Sequence, residues 1–424
     1  MGRNGGDYSK FGAQAGMTKI LPDAEWQHAD GLKKVLALLH DAHGGPRYVG
    51  GAVRDTLLGL PVADVDIATA LLPFEVIDRL ESGGIKAIPT GIEHGTITAA
   101  VDGKNYEITT LRRDVATDGR RATVAFATDW REDAARRDFT INALYAAPAT
   151  GEIFDYFNGS GDLQKRRLRF IGEAHQRIAE DFLRILRYFR FLARYGGGTL
   201  DTEAIEACAA GAHGLTALSR ERIAQELTRI LALKNPVASV GLMIKHGIFT
   251  PFLPELSASA AEDLQRLVER EQKFAQPVSL PARFLALVTS DAIAVDKVTA
   301  RLKLSNKLRE GCAKRLQAPT PNAGNIRAIA YSTDIDTARD VVMLFAADID
   351  VQNCLARLDG WESPSLSIKG GALIEMGLPT GPLVAQTLQA IETAWVEEEF
   401  PGKERQYALA RQAINTALSA IKNA

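Results

Sequence analysis

Hydrophobic positions fall into two regimes along the chain. Up to about residue 160, short runs with period-2 alternation are interleaved with brief helical patterns, and after it the 3.6-residue period dominates. The spacing predicts a helix over Leu32 to His40, a short strand at Arg47 to Val49, a helix over Ala52 to Leu58, and a strand through Asp64-Val65-Asp66-Ile67. A helix over Leu72 to Leu80 follows, then strands at Ile85 to Ile88, Thr96 to Val101 and Tyr106 to Leu111, with Asp102-Gly103 as the hairpin turn between the last two. Arg113 to Thr128 have little periodicity and are expected to form a mobile loop. Asp133 to Tyr145 are expected to form a helix broken near Phe139-Thr140, and Ala174 to Arg194 one long helix with Phe182, Leu183, Leu186, Phe189 and Phe191 on its apolar side. Gly211 to Leu215 read as a turn, Leu218 to Leu227 as a helix capped by Ser219, and everything from Pro236 as helix-rich, broken at Pro251 to Pro254, Pro277 to Pro281, Pro319 to Asn325 and near Pro364. Residues 1–16 are Gly-rich and aperiodic and are expected to be a disordered extension.

Chemistry concentrates between Tyr48 and Thr69. Gly50-Gly51 turn a strand into a helix, so backbone N–H groups face outward at a helix start where an anion binds, and no Cβ stands in the way. Arg54, in the first turn, adds a charged donor for the same oxygens. Strand alternation puts the carboxylates of Asp64 and Asp66 on one face, where they repel unless a cation lies between them, and hard oxygen ligands of this kind suit Mg²⁺. A plain strand-to-helix turn and a solvated Asp-x-Asp are the alternatives for either feature alone. Glu107, on the Tyr106-Glu107-Ile108-Thr109 strand, is a candidate third carboxylate, with a surface strand residue as the alternative.

Gly50-Gly51-Ala52-Val53-Arg54-Asp55, Leu58-Gly59 and Asp64-x-Asp66 together resemble the head-domain signature of class II tRNA nucleotidyltransferases and bacterial poly(A) polymerases, members of the DNA polymerase β superfamily. The resemblance runs from about Arg47 to Leu227. It implies an α+β protein: a nucleotidyltransferase head with a small mixed sheet over 17–160, a helical neck over 161–250 bearing a nucleotide-selecting helix, and a helical, tRNA-binding body and tail over 251–424. It also implies template-independent addition of CCA to the tRNA 3′ end from CTP and ATP, with two Mg²⁺ ions on Asp64 and Asp66. In the family, Arg137 contacts ribose and triphosphate with Asp138 in support, and a flexible loop at Asp114, Asp118, Gly119, Arg120 and Arg121 assists terminal adenosine addition. Asp155 to Arg169 match the connecting motif, in which Asp162 reads equally well as a helix cap. Leu218 to Leu227 match a fifth motif whose helix buttresses the selecting one.

The selecting helix is similar to the family's amino-acid template, Glu180-Asp181-x-x-Arg184-x-x-Arg187, with Arg190 continuing the spacing. Cytosine and adenine carry an exocyclic amine that a carboxylate accepts, beside a ring nitrogen to which a guanidinium donates. Uracil and guanine place a carbonyl where the amine would be, and a buried acceptor facing another acceptor rejects the wrong base. Asp181 and Arg184 on one rigid helix are therefore candidate selectors, Arg187 and Arg190 candidate nucleotide contacts, and Glu180 a candidate for orienting them. An intrahelical Asp181–Arg184 ion pair is the structural alternative.

Composition narrows the remaining choices. The 424 residues are 46 % hydrophobic and 24 % charged, with no apolar run of membrane-span length and no signal-peptide core. Cys208, Cys312 and Cys354 are too widely spaced for a disulfide framework or zinc site, so a reducing cytoplasm is expected. Net charge is −2, yet Gln164 to Arg194 hold nine Lys or Arg against three acids, a stripe that either steers a polyanion or is a solvated face. Lys303, Lys307, Arg309, Lys314 and Arg315 form a second basic cluster, a candidate tRNA contact or again a solvated face. The sole His-Asp pair, His40-Asp41, has no partner histidines, so no phosphohydrolase activity is expected. Poly(A) polymerase is the nearest competing function, but Thr90-Gly91-Ile92-Glu93-His94-Gly95-Thr96 stands where such relatives carry an Arg-rich strand. A catalytically inactive RNA-binding relative is the alternative from another class.

Overall fold

The computed structural model describes residues 20–40, 45–118, 121–288 and 291–422, and the chain divides into two units, Met1–Phe252 and Leu253–Ala424. The Gly-rich 1–16 segment lies outside the described residues, as do Asp41, Gly119 and Arg120. In the first unit come α1 (Asp30–Leu38), β1 (Arg47–Val49), α2 (Gly51–Leu57), β2 (Asp66–Thr69), α3 (Pro73–Ser82), β3 (Lys86–Gly91), β4 (Thr96–Val101) and β5 (Lys104–Thr110). They are followed by β6 (Arg112–Asp118), β7 (Arg121–Phe126), α4 (Trp130–Ala135), β8 (Leu144–Ala146), β9 (Ile153–Asp155) and α5 (Gly159–Gln164), and then by α6 (Ala174–Glu180), α7 (Leu183–Tyr195), α8 (Thr202–Gly211), α9 (Arg220–Leu231) and α10 (Val237–Lys245).

Seven strands make one mixed sheet in the order β3-β4-β5-β2-β1-β8-β9. Asp102 and Gly103 join β4 to β5 with φ of 51° and 72°, the left-handed pair that a two-residue hairpin requires. β2 and β5 run parallel, with Asp66 opposite Glu107 and Ile67 opposite Ile108. Val49, Ala68, Leu111, Trp130, Ala134, Ala143, Tyr145 and Ile171 pack into the core behind that seam.

Several sequence expectations differ from the structure, four of them in these elements. Arg112–Asp118 and Arg121–Phe126 pair as an antiparallel ribbon, β6 on β7, with a register shift between Asp114 and Ala116, in place of the expected loop. Here ladder hydrogen bonds organise a stretch that carries no apolar alternation. The helix expected over Asp133 to Tyr145 stops at Ala135, and the chain re-enters the sheet as β8, whose Tyr145 pairs with Val49. Asp162 is not a cap: it lies inside α5, buried, where it accepts from the Thr140 hydroxyl at 2.7 Å and from Arg169 Nε at 3.0 Å. The start of α5 is held instead by Asp155, whose carboxylate accepts from the N–H groups of Gly159 and Ser160, both at 2.8 Å. Gly159 itself is required there, because a Cβ would run into the Thr140 carbonyl.

The fourth difference bears directly on function. The long helix expected over Ala174 to Arg194 is two helices, broken where Asp181 takes an extended conformation with φ −155° and ψ 106°. Its carboxylate accepts from Leu183 N at 3.0 Å and so starts α7, a local hydrogen bond that competes with continuing the helix.

The second unit is helical, from α11 (Ala260–Lys273) through α12 (Leu280–Leu285), α13 (Ala292–Arg301), α14 (Asn306–Gln317), α15 (Ile326–Ser332), α16 (Ile335–Phe345), α17 (Asp348–Leu358) and α18 (Gly370–Glu375) to α19 (Pro382–Glu397) and α20 (Lys403–Lys422). Trp395 centres the core formed by α18, α19 and α20 and donates to the Pro401 carbonyl at 2.8 Å. The basic cluster of α13 and α14 is largely paired: Arg309 with Asp296, Lys314 with Asp334 and the buried Arg315 with Asp340. Among the described residues, no helix is long and apolar enough to cross a membrane.

Candidate active site

Gly50 turns β1 into α2 at φ 66° and ψ −116°, a region open only to glycine. Its own N–H is spent on the Leu144 carbonyl at 3.0 Å, so an anion at this turn falls to Gly51 and the residues after it. A Cβ on Gly50 would stand 3.6 Å from Arg137 Nη1, which puts that guanidinium beside the turn. Arg54 does not reach outward. It is 6 % exposed, and its nitrogens go to Asp55 Oδ1 at 2.8 Å, Tyr195 OH at 2.5 Å and the Asn142 side-chain oxygen. The expectation of a direct phosphate donor gives way to a buried tie between α2 and α7, because the guanidinium lies over the Tyr195 ring, 4.1 Å from its centroid, with its nitrogens already taken.

The carboxylates gather where the start of β2 meets the middle of β5. Asp66 opens β2, half-buried, and Glu107 lies opposite it on β5, exposed. Asp64 is exposed and precedes the strand, so the alternation expected through Asp64-Val65-Asp66-Ile67 begins only at Asp66 and does not by itself give the two carboxylates a shared face. Burial, reinforced by Glu107 and then Asp64, pushes the Asp66 carboxyl up to about 6 against the opposing pull of Arg137 and Arg54. Both neighbouring acids thus bear on Asp66, and a cation beside it removes the repulsion. Among the described residues no three His, Cys, Asp or Glu side chains form a closed metal cage. An open pair of oxygen donors is what a hard cation needs when it completes its shell with water and substrate phosphates.

Arg137 is fixed by groups that sequence reasoning passed over. Its Nη2 donates to Asp133 Oδ2 at 3.0 Å and its Nε to Tyr145 OH at 3.1 Å, while the Tyr145 hydroxyl donates to the same Asp133 oxygen at 2.6 Å. Arg136 donates to the other Asp133 oxygen at 2.8 Å, so both arginines are tied to one carboxylate. Burial alone would raise the Asp133 pKa, but Arg137 and Arg136, helped by Tyr145, hold it down at about 2. One signal was present in the sequence: an acid followed at three and four residues by two arginines, on a segment with apolar flanks.

Asp138 does not face the turn. Its Oδ2 accepts from Arg187 Nε at 2.8 Å and Nη2 at 2.5 Å, and its Oδ1 accepts from Asn142 and from Phe139 N, both at 2.9 Å. Burial raises its pKa, and Arg187 outweighs that, so the carboxyl sits below its usual range. Arg177 makes a second tie, donating to the carbonyls of Arg136 at 2.5 Å and Arg137 at 2.8 Å and to Glu180 at 2.5 Å. Arg184 donates to the same Glu180 oxygen at 2.5 Å and to the Arg177 carbonyl at 2.7 Å. The carboxylate end of the sheet and the Asp181–Arg184 joint are therefore connected through two residues, Arg137 and Arg177.

The Asp181–Arg184 ion pair offered as the structural alternative does not form. Asp181 Oδ2 accepts from Arg222 Nη2 on α9 at 2.7 Å, and Arg190 pairs with the buried Glu226 on the same helix at 3.2 Å. Ser219 stands at the N-cap position of α9 without a side-chain cap bond. Most of the nine cations between Gln164 and Arg194 stand in ion pairs, among them Arg167 and Arg169 with Asp162, Arg177 and Arg184 with Glu180, Arg187 with Asp138, Arg190 with Glu226 and Arg194 with Asp55. The basic stripe is thus mostly an internal framework, which sequence could not show because three of its acids lie far away in the chain.

Comparison with known proteins adds an independent line. The family model described as the poly A polymerase head domain matches residues 46–169, and the one described as the probable RNA and SrmB-binding site of polymerase A matches 198–259. The mitochondrial CCA tRNA nucleotidyltransferase 1 of Homo sapiens is 36 % identical over 394 residues, covering 89 % of each chain. The CCA-adding enzyme of Lacticaseibacillus paracasei is 33 % identical over 378 residues, covering 88 % of this chain and 92 % of its own. The crystal structure of the Bacillus stearothermophilus CCA-adding enzyme in complex with CTP superposes with a TM-score of 0.72 at 26 % identity, over 93 % of this chain and all of that one.

Proposed function

The chain belongs to the family of CCA-adding tRNA nucleotidyltransferases, and we propose that it completes tRNA 3′ ends in one cleft, where Asp64, Asp66 and Glu107 serve the chemistry and Asp181 and Arg184 choose the base. It is a nucleotidyltransferase that adds CCA to tRNA, taking CTP and ATP as substrates. The attacking group is the tRNA 3′ hydroxyl, which displaces pyrophosphate from the α-phosphorus of the incoming nucleotide. The observation that carries the reading is the parallel register of Asp66 with Glu107, placed beside the Gly50 turn and Arg137.

Two Mg²⁺ ions are the metal we assign: Asp64 and Asp66 would hold them, and they would supply acidification of the attacking hydroxyl and neutralisation of charge on the leaving pyrophosphate. The chain's own groups do the rest. Gly51 and the first turn of α2 receive the phosphates, and Arg137, pinned by Asp133 and Tyr145, meets the triphosphate with a guanidinium that needs no reorganisation. Arg54 acts from below, through Asp55, Asn142 and Tyr195. Asp138 and Arg187 lock the head to α7, so the two ends of a nucleotide are held at a fixed separation. Asp181 accepts the exocyclic amine of cytosine or adenine, and Arg184, oriented by Glu180, donates to the ring nitrogen.

Beyond the site, we assign the head to 17–160, the neck to 161–250 and an RNA-binding body and tail to 251–424. The free, buried cysteines support a reducing compartment, and the cytoplasm is the location we propose. The deciding experiment offers tRNA lacking its last three nucleotides with CTP alone, ATP alone, and both. The expected products are two C residues, none, and CCA; long A tracts on unrelated RNA point instead to poly(A) synthesis. In Asp64→Ala and Asp66→Ala incorporation stops, and normal turnover in either removes the carboxylate assignment.

A further inference from the structure

Asp181, read above as the base acceptor, already has a donor inside the protein. Arg222 Nη2 lies 2.7 Å from its Oδ2, between a carboxylate 26 % and a guanidinium 31 % exposed. Arg222 therefore presents to Asp181 the same N–H that a cytosine or adenine amine would present. One helical turn further along α9 stands Glu226, 2 % exposed. Its Oε1 accepts from both Arg190 at 3.2 Å and Arg229 at 3.1 Å, whereas its Oε2 is buried and has no hydrogen-bond partner. A buried, unpartnered carboxylate oxygen is costly and calls for an explanation. Residues at i and i+4 on a helix share a face, so the Arg222 head can swing from Asp181 to that oxygen without any change in backbone.

We propose that Arg222 is a positioning residue for nucleotide selection, which holds Asp181 as a stand-in for the base and passes to Glu226 Oε2 when an amine-bearing base takes its place. The inference rests on Asp181 reading the base. A base that brings an amine repays the lost Asp181–Arg222 bond, and uracil, offering a carbonyl there, does not. The exchange moves no net charge, because a carboxylate receives the guanidinium that another releases.

The test measures steady-state incorporation with CTP and with ATP in the full-length chain carrying Arg222→Ala, Arg222→Lys, Glu226→Gln, or Arg222→Ala with Glu226→Gln. Removing the competing donor is expected to lower KM for both nucleotides by about fivefold, the worth of a half-exposed ion pair, with kcat moving less than KM. Arg222→Lys falls between wild type and Arg222→Ala. Glu226→Gln raises KM, since the displaced guanidinium loses its receiver, and the double variant matches Arg222→Ala because nothing remains to be received. An unchanged or raised KM in Arg222→Ala, or strict additivity in the double variant, overturns the exchange. Should Glu226→Gln fail to fold, the half-exposed Arg222→Ala decides alone. Asp181→Asn, assayed alongside, keeps the two readings apart: retained exclusion of UTP there sinks base reading by Asp181, whereas lost exclusion with an unmoved KM in Arg222→Ala sinks only the exchange.

Discussion

Replacing Asp133 by Asn is the sharpest probe of how this site is built, because one buried carboxylate, 1 % exposed, holds two arginines and a tyrosine at once. The groups facing it are Arg136, Arg137, Tyr145 and the backbone N–H of Arg112. Its pKa falls from an ordinary 3.8 to about 2, and at about 1.4 kcal/mol per pKa unit that corresponds to about 2 kcal/mol of stability from ionisation alone. Asn also leaves Arg136 and Arg137 without their counter-charge, and breaking a buried pair from one side costs about 3–5 kcal/mol in all. The expected loss at pH 7 is therefore about 3 kcal/mol, on the order of 10 °C in Tm for a unit of this size. Since the folded pKa is depressed, this contribution is complete above 3.8 and is lost as pH falls toward 2, so wild type and variant converge only in that acid window. Urea denaturation of both proteins at pH 7 and near pH 3 measures it, and nucleotide incorporation well below the unfolding transition reports whether Arg137 has lost its aim at the Gly50 turn. A variant within about 1 kcal/mol of wild type at pH 7 would refute the claim that Asp133 organises the site, given the cost of an uncompensated buried charge.

Two further perturbations test neighbouring parts. Gly50→Ala meets only ordinary contacts, at 3.5 Å from the Asn142 carbonyl and 3.6 Å from Arg137, so its cost is the left-handed backbone; about 1–3 kcal/mol of lost stability is expected in chemical denaturation, and an unaltered midpoint contradicts it. Asp66→Asn removes a carboxylate that burial and Glu107 keep at a raised pKa, so incorporation is abolished while Tm stays level or rises. A Tm well below wild type would mean that Asp66 serves the fold.

Local physics made much of this protein legible from its residues. A Gly-Gly step between a strand and a helix, an Asp-Gly pair between alternating runs, and proline-marked breaks each constrain φ and ψ within a few residues, and all appear where the sequence implies them. The family signature and the carboxylates of Asp64 and Asp66 were readable for the same reason, since they belong to one contiguous unit. The helix break at Asp181 was missed because apolar periodicity continues across it, although an acid ahead of an apolar run is itself a helix-start signal.

What the chain order concealed was pairing. Arg187 meets Asp138 across 49 residues, Arg190 meets Glu226 across 36, and Arg194 meets Asp55 across 139, so a segment that reads as a basic surface becomes a neutralised scaffold. The opposition of Asp66 to Glu107 likewise exists only once β2 and β5 lie parallel. Backbone preference is set by near neighbours and survives in one dimension. The state of a charge is set by burial and by whichever opposite charge the fold brings within about 3 Å, where a low local dielectric makes that one neighbour decisive. The sequence by itself determined the elements and the chemical equipment of this protein, and only the tertiary structure decided which charges stay free to act on a substrate.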